Sequence, residues 1–172
     1  MAVLTIEELN EMNPEKTYVL PFALNIELWK NIDVALKTIF SSPVKLKFNE
    51  QIKENMSSIK AQKGIYMFFI EPDFPFIPST NYLVYIGRVT KGNTFFKRFY
   101  DYTSSIGKRN TRRNIQLLTN LWPDKTWVYF YALSETDKRI GEIEQILFNN
   151  IIPPLNADLT AKGAKNSRSI YN

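Results

Sequence analysis

The sequence predicts an α+β domain: a small mixed, mainly antiparallel sheet flanked by helices, with a mostly helical N-terminal extension. Three observations predict it. Residues 65–70, 82–86 and 126–133 are short runs of apolar, β-branched and aromatic residues, the composition of buried strands. Residues 94–103, 109–121 and 136–152 read as helices, so that the order is β-β-α-α-β-α, which implies helices packed on one small sheet. Upstream, residues 26–40 carry an apolar stripe at helical spacing.

Taken in order, Thr5 with Glu8 forms a capping box for a short helix that Pro14 ends. A strand follows at 17–20. In 26–40, Leu28, Trp29, Ile32, Ala35, Leu36, Ile39 and Phe40 line one face, while Glu27, Lys30, Asp33 and Lys37 face out. Ser41-Ser42-Pro43 stops that helix, and the polar stretch 49–60 reads as another. The strands at 65–70 and 82–86 are apolar on both faces and therefore covered on both. Pro72, Pro75 and Pro78 between them rule against regular structure in the connection. Pro153-Pro154 ends the last helix, and the tail from Ala161 is polar. The expected division is an extension at 1–62, serving packing or dimerisation, a domain at 63–160 and a tail at 161–172.

Composition narrows the chemistry. The 172 residues include no cysteine and no histidine. Disulfides, thiol nucleophiles, Cys/His zinc sites and histidine bases are therefore excluded. Hydrolysis would have to use carboxylates, phenols, Arg or Lys, or a hard metal held by oxygen. The N-terminus has no basic region before an apolar one, and no apolar run approaches the ~20 residues of a membrane span, so a cytoplasmic protein without a membrane partner is expected.

The net charge is +5, and its distribution is uneven. Residues 88–113 hold Arg88, Lys91, Lys97, Arg98, Lys108, Arg109, Arg112 and Arg113 against Asp101 alone. Charges this concentrated suit an anionic partner, with a nucleic-acid backbone the leading candidate; a solvated helix face is the alternative. Residues 107–113 are the better candidates for backbone contact.

Several polar side chains fall on apolar faces. On the last helix, Ile140, Leu147 and Ile151 share one direction, and Glu144 lies about 40° away, inside the stripe. A buried carboxylate needs a proton, hydrogen bonds or a metal. It is either half of a structural ion pair or a catalytic or metal-ligating group. On the helix at 94–103, Arg98 sits beside Phe95, Phe99 and Tyr102, as a cation–π contact or a phosphate grip. Tyr66 and Tyr85 could meet across the first two strands, either as packing or as a site.

Together these residues resemble the GIY-YIG nuclease family. Gly64-Ile65-Tyr66 stands as the first element and Tyr85-Ile86-Gly87 as the second. Phe95-Phe96-Lys97-Arg98-Phe99 is similar to the arginine-bearing helix. Glu144 and Asn156, the latter after Pro153-Pro154-Leu155, are similar to the glutamate and the closing asparagine. The resemblance covers residues 64–156. Many members carry histidine four residues after the arginine, where this chain has Tyr102.

The resemblance implies metal-dependent hydrolysis of DNA phosphodiesters. Tyr66, Tyr85, Arg98, Tyr102, Glu144 and Asn156 would form the catalytic set, and Glu144 would hold Mg2+, with Mn2+ as the alternative. Tyr66 would orient or deprotonate the attacking water, with Arg98 or the metal lowering its pKa. Asn156 would organise the site. Arg88, Lys91, Lys97, Lys108, Arg109, Arg112 and Arg113 would contact DNA. The short chain suits a stand-alone restriction or phage-defence enzyme, and double-strand cleavage would call for a homodimer. A non-catalytic nucleic-acid-binding module is the alternative. Gly87 and Gly92 match the glycine spacing of a phosphate-binding loop, but Asn93-Thr94 replaces the required Lys-Ser/Thr, so no nucleotide cofactor is expected.

Overall fold

The computed structural model describes residues 42–72, 81–104 and 124–156, together with residues 30, 32, 36, 39, 40, 106, 118 and 122. Four strands, β1 (Val44–Lys47), β2 (Gly64–Ile70), β3 (Tyr82–Val89) and β4 (Thr126–Ala132), form one sheet in the order β1-β4-β2-β3. All three pairings are antiparallel, so the mixed, mainly antiparallel sheet expected from the sequence is antiparallel throughout among the described residues. The reason is β2: it lies in the middle and runs opposite to both of its neighbours. Two helices follow their strands, α1 (Phe95–Thr103) after β3 and α2 (Asp137–Ile151) after β4.

Two apolar layers sandwich the sheet. On one face, Tyr66, Phe68, Val128 and Phe130 pack against Phe95, Phe99 and Tyr102 of α1. On the other, Ile65, Met67 and Ile86 pack against Ile140, Ile143, Leu147 and Phe148 of α2. That arrangement explains why β2 is apolar at every position: both of its faces are roofed. Leu36 is buried in the second layer, where Ile32, Ile39 and Phe40 join it, and the Phe40 ring meets Tyr131 edge-on at 4.9 Å. Residues 30, 32 and 36 are helical.

Three expectations change. Residues 49–60 form a 3-10 turn (Ile52–Asn55) and further turns rather than a helix. Their backbone bonds run from residue i to i−3, as in Ile52 to Asn49, Ile59 to Met56 and Gln62 to Ile59. β1 was not anticipated, although Val44-Lys45-Leu46-Lys47 alternates as a strand should. Finally, β1 pairs with β4, and Phe48, Ile52, Met56 and Ile59 are core residues, so the sheet and core begin upstream of the boundary expected at 62/63. The capping box at Thr5, the strand at 17–20, residues 73–80, most of the helix at 109–121 and the tail lie outside the described residues.

Both helices start on a threonine cap: Thr94 accepts from the Lys97 N–H and Thr136 from the Arg139 N–H. α2 ends at Ile152, whose φ of 57° is left-handed. That conformation is unfavourable for a β-branched residue, and burial of its side chain offsets it. The turn sends residues 153–156 back along the outer edge of β3, where the Leu155 N–H donates to the Val84 carbonyl at 2.9 Å.

Candidate active site

The two glycine-bearing tripeptides have steric explanations. Gly64 has a φ of 149°, and a Cβ there would overlap the Tyr131 carbonyl oxygen of β4. Gly87 pairs with Tyr66 across β2 and β3. A Cβ on Gly87 would overlap the Tyr66 phenol, so the glycine lets that ring lie across the neighbouring strand.

Tyr66 is only 1% exposed. Its ring meets Phe99 edge-on at 5.3 Å and lies 6.3 Å from the Tyr85 ring, and its hydroxyl shares a 2.6 Å hydrogen bond with the Tyr102 hydroxyl. Burial pushes the Tyr66 pKa well above 10, the nearby Tyr102 and Tyr85 reinforce the rise, and the Arg98 charge opposes it more weakly. Of the two cations the resemblance offers for lowering the Tyr66 pKa, Arg98 or a metal, Arg98 alone does not outweigh burial. In the free protein the Tyr66 hydroxyl is engaged in the hydrogen bond with Tyr102.

α1 supplies Tyr102 and Arg98 from neighbouring positions. Phe95, Phe99 and Tyr102 are buried, while Arg98 lies beside them at intermediate exposure. The Arg98 Nε is nevertheless buried and has no hydrogen-bond partner among the described residues. Its charge acts on both Tyr66 and Glu144.

Glu144 lies on the core side of α2, with 14% of its side chain exposed. Burial raises its pKa, and the charges of Arg88 and Arg98 and a backbone hydrogen bond from Arg88 oppose the rise. Arg88, expected to contact DNA, instead places its Nη1 2.9 Å from Glu144 Oε2. The ion-pair reading of Glu144 has thus acquired a partner, and in the free protein Arg88 is engaged with that carboxylate. Arg88 also lies against Gly141, where a Cβ would come within 2.9 Å of Nη1. Gly141 was overlooked in the sequence. Its signal was a glycine inside a helix, which is unfavourable by about 1 kcal/mol against alanine and so marks a close approach.

Asn156 is buried behind the site. Its Oδ1 accepts from the Ile86 N–H at 2.8 Å, and its Nδ2 donates to the Ile86 carbonyl at 2.7 Å. Both ends of the amide are bonded to the backbone between Tyr85 and Gly87, so Asn156 positions β3. Lys97 is exposed on α1, and Lys91 is exposed in the loop after β3, with its N–H donating to Asp137 at 2.8 Å. Asp137 also pairs with Lys63 at 2.8 Å and thereby ties the start of β2 to that loop. Lys108, Arg109, Arg112 and Arg113 lie outside the described residues.

Tyr66, Tyr85 and Tyr102 are thus brought together, Glu144 is paired with Arg88, the Arg98 charge acts on both Tyr66 and Glu144, and Asn156 holds β3. A hard cation held by Glu144 would have to complete its shell elsewhere and share the carboxylate with Arg88 or displace it. Glu144 offers a single oxygen-donor carboxylate, and among the described residues no three Asp or Glu side chains cluster. Mg2+ is commonly held by one or two carboxylates plus water and substrate phosphates. No helix among the described residues is long and apolar enough to cross a membrane. No protein-family model, curated protein or solved structure matches the chain.

Proposed function

We propose that this chain is a metal-dependent DNA endonuclease of the GIY-YIG type that hydrolyses phosphodiester bonds, in a restriction or phage-defence setting, with Mg2+ or Mn2+ as cofactor. The observation that carries this reading is Arg98: a buried guanidinium nitrogen without a partner among the described residues, acting electrostatically on both a phenol cluster and a carboxylate. Desolvated donors of this kind are ready to receive an anion.

In this reading Arg98 binds the scissile phosphate and offsets the charge that builds up on it. Glu144 holds the divalent cation, which when bound supplies Lewis acidity toward the phosphate and the leaving oxygen. Tyr66 and Tyr102, already linked through their hydroxyls, orient water and phosphate oxygens, and Tyr85 shapes the same wall. Asn156 keeps β3 in place. Lys91 and Lys97, together with the basic residues at 108–113, contact the DNA backbone, and a homodimer would cut both strands. The protein would act in the cytoplasm.

One observation favours a second reading, a non-catalytic nucleic-acid-binding module: the Glu144 carboxylate already has Arg88 as its partner. Incubating supercoiled plasmid with the protein and Mg2+ or Mn2+ separates the two. Nicking that disappears in Glu144→Ala and in Arg98→Ala supports the nuclease. Salt-sensitive DNA binding without cleavage in either metal supports the binding module.

A further inference from the structure

Arg88 and Glu144 are unequally placed. The Glu144 side chain is 14% exposed, while the Arg88 side chain is 41% exposed and reaches its partner from the strand at the sheet edge. Glu144 sits on the rigid body of α2, three residues after Gly141 and on the same side of the helix. Arg88 lies along that side because Gly141 has no side chain to exclude it. Of the two partners, Arg88 is the one able to swing away.

A guanidinium binds carboxylate and phosphate with the same planar fork of donors. Arg88 leaving without a new anion would leave Glu144 less compensated. A divalent cation arriving while Arg88 stays would crowd three positive groups, with Arg98, around one carboxylate. Both penalties vanish when a DNA phosphate takes Arg88 as the cation takes Glu144.

We infer that Arg88 is an exchange partner: it neutralises Glu144 in the free protein and transfers to a DNA phosphate oxygen on binding, so that Glu144 becomes open to a divalent cation only when DNA is present. This rests on the nuclease reading above and adds to it an order of events, DNA before tight metal.

The test is Mn2+ binding followed by electron paramagnetic resonance on the full chain, without DNA, for the unaltered protein, Arg88→Gln, Gly141→Ala and the double variant Arg88→Gln/Glu144→Gln. Gly141→Ala displaces Arg88 without removing either charge, so it addresses the pair even if Arg88→Gln folds poorly. Arg88→Gln and Gly141→Ala should bind Mn2+ at least tenfold tighter than the unaltered protein, and the double variant should lose the gain. Plasmid DNA should tighten Mn2+ binding at least tenfold in the unaltered protein relative to Glu144→Gln with the same DNA. If DNA produces that difference but the two single variants bind Mn2+ no tighter than the unaltered protein, the exchange is overturned while the nuclease reading stands. If no sample binds Mn2+ through Glu144, with or without DNA, both are overturned.

Discussion

The two halves of the candidate site are closed in different ways. On the α1 face, Tyr66 and Tyr102 share one hydrogen bond and pack on Phe99 and Phe68, an arrangement of neutral rings. Around Glu144, two guanidinium groups attend one carboxylate, and the Arg98 Nε has no partner among the described residues. The phenol half could be an ordinary core, since buried tyrosines normally find a partner for their hydroxyl. Among the described residues, the ionic half has the charges of Arg88 and Arg98 acting on one carboxylate, a balance that suits an anion. The charges therefore distinguish this half from an ordinary core, and the Arg98 charge reaches Tyr66 as well.

The sharpest way to break this comparison is to remove the charges. Arg98→Ala should lower plasmid nicking by about 10²–10³-fold, the usual effect of deleting one preorganised donor at a developing charge. Glu144→Gln should do at least as much, yet it should leave the melting temperature at pH 7 unchanged or higher. The sign follows from the raised pKa. A raised pKa means that the folded protein holds the proton more tightly than the unfolded chain does. The associated stability is fully present below the ordinary carboxyl pKa and is lost as pH rises through the folded value. At pH 7 the ionised side chain is a liability that Gln removes. A melting temperature several degrees below that of the unaltered protein would assign Glu144 a structural role.

Next in size are the glycines that shape the phenol half. Gly87→Ala forces the Tyr66 ring to move and should destabilise by about 1–3 kcal/mol. Gly64→Ala should lie at the upper end of that range, because the clash is with backbone and φ is positive. Urea denaturation measures both. Asn156→Ala breaks two bonds to Ile86 and should cost about 2 kcal/mol, with nicking reduced as well because Tyr85 and Gly87 flank that residue.

The smallest effect belongs to Tyr66→Phe, about 1 kcal/mol for one lost hydroxyl pair. Its signature is a pH dependence. With the Tyr66 pKa raised, stability is unaffected below about pH 10 and falls as pH rises toward the folded value. Tyr66→Phe should flatten that alkaline decline, and thermal melts from pH 8 to 11 read it directly.

Much of the fold could be read from the chain because burial leaves a pattern. β2, β3, β4 and both helices were expected within a few residues of their observed ends, with α1 and α2 separated from their loops by threonine caps. Glu144 was noticed because it interrupts an apolar stripe, and its low exposure agrees with that. What escaped notice depends on contacts distant in sequence. Four-residue β1 is too short for periodicity to stand out, and its strand state comes from pairing with β4. Asn49–Lys60 has helical spacing of Ile52, Met56 and Ile59, but its polar residues favour successive turns. Arg88 looked like one more member of a basic cluster. Only the packing of α2 on β3 reveals that its charge faces Glu144.

The clasp between Asn156 and Ile86 joins residues 70 positions apart. A strand margin that waits so long for its cover stays bare while the intervening polypeptide is being synthesised. During that interval it offers unpaired peptide groups to any other nascent chain. Growth temperature and expression rate should therefore govern how much of this protein is recovered in soluble form, and a chain shortened before residue 156 should accumulate in inclusion bodies.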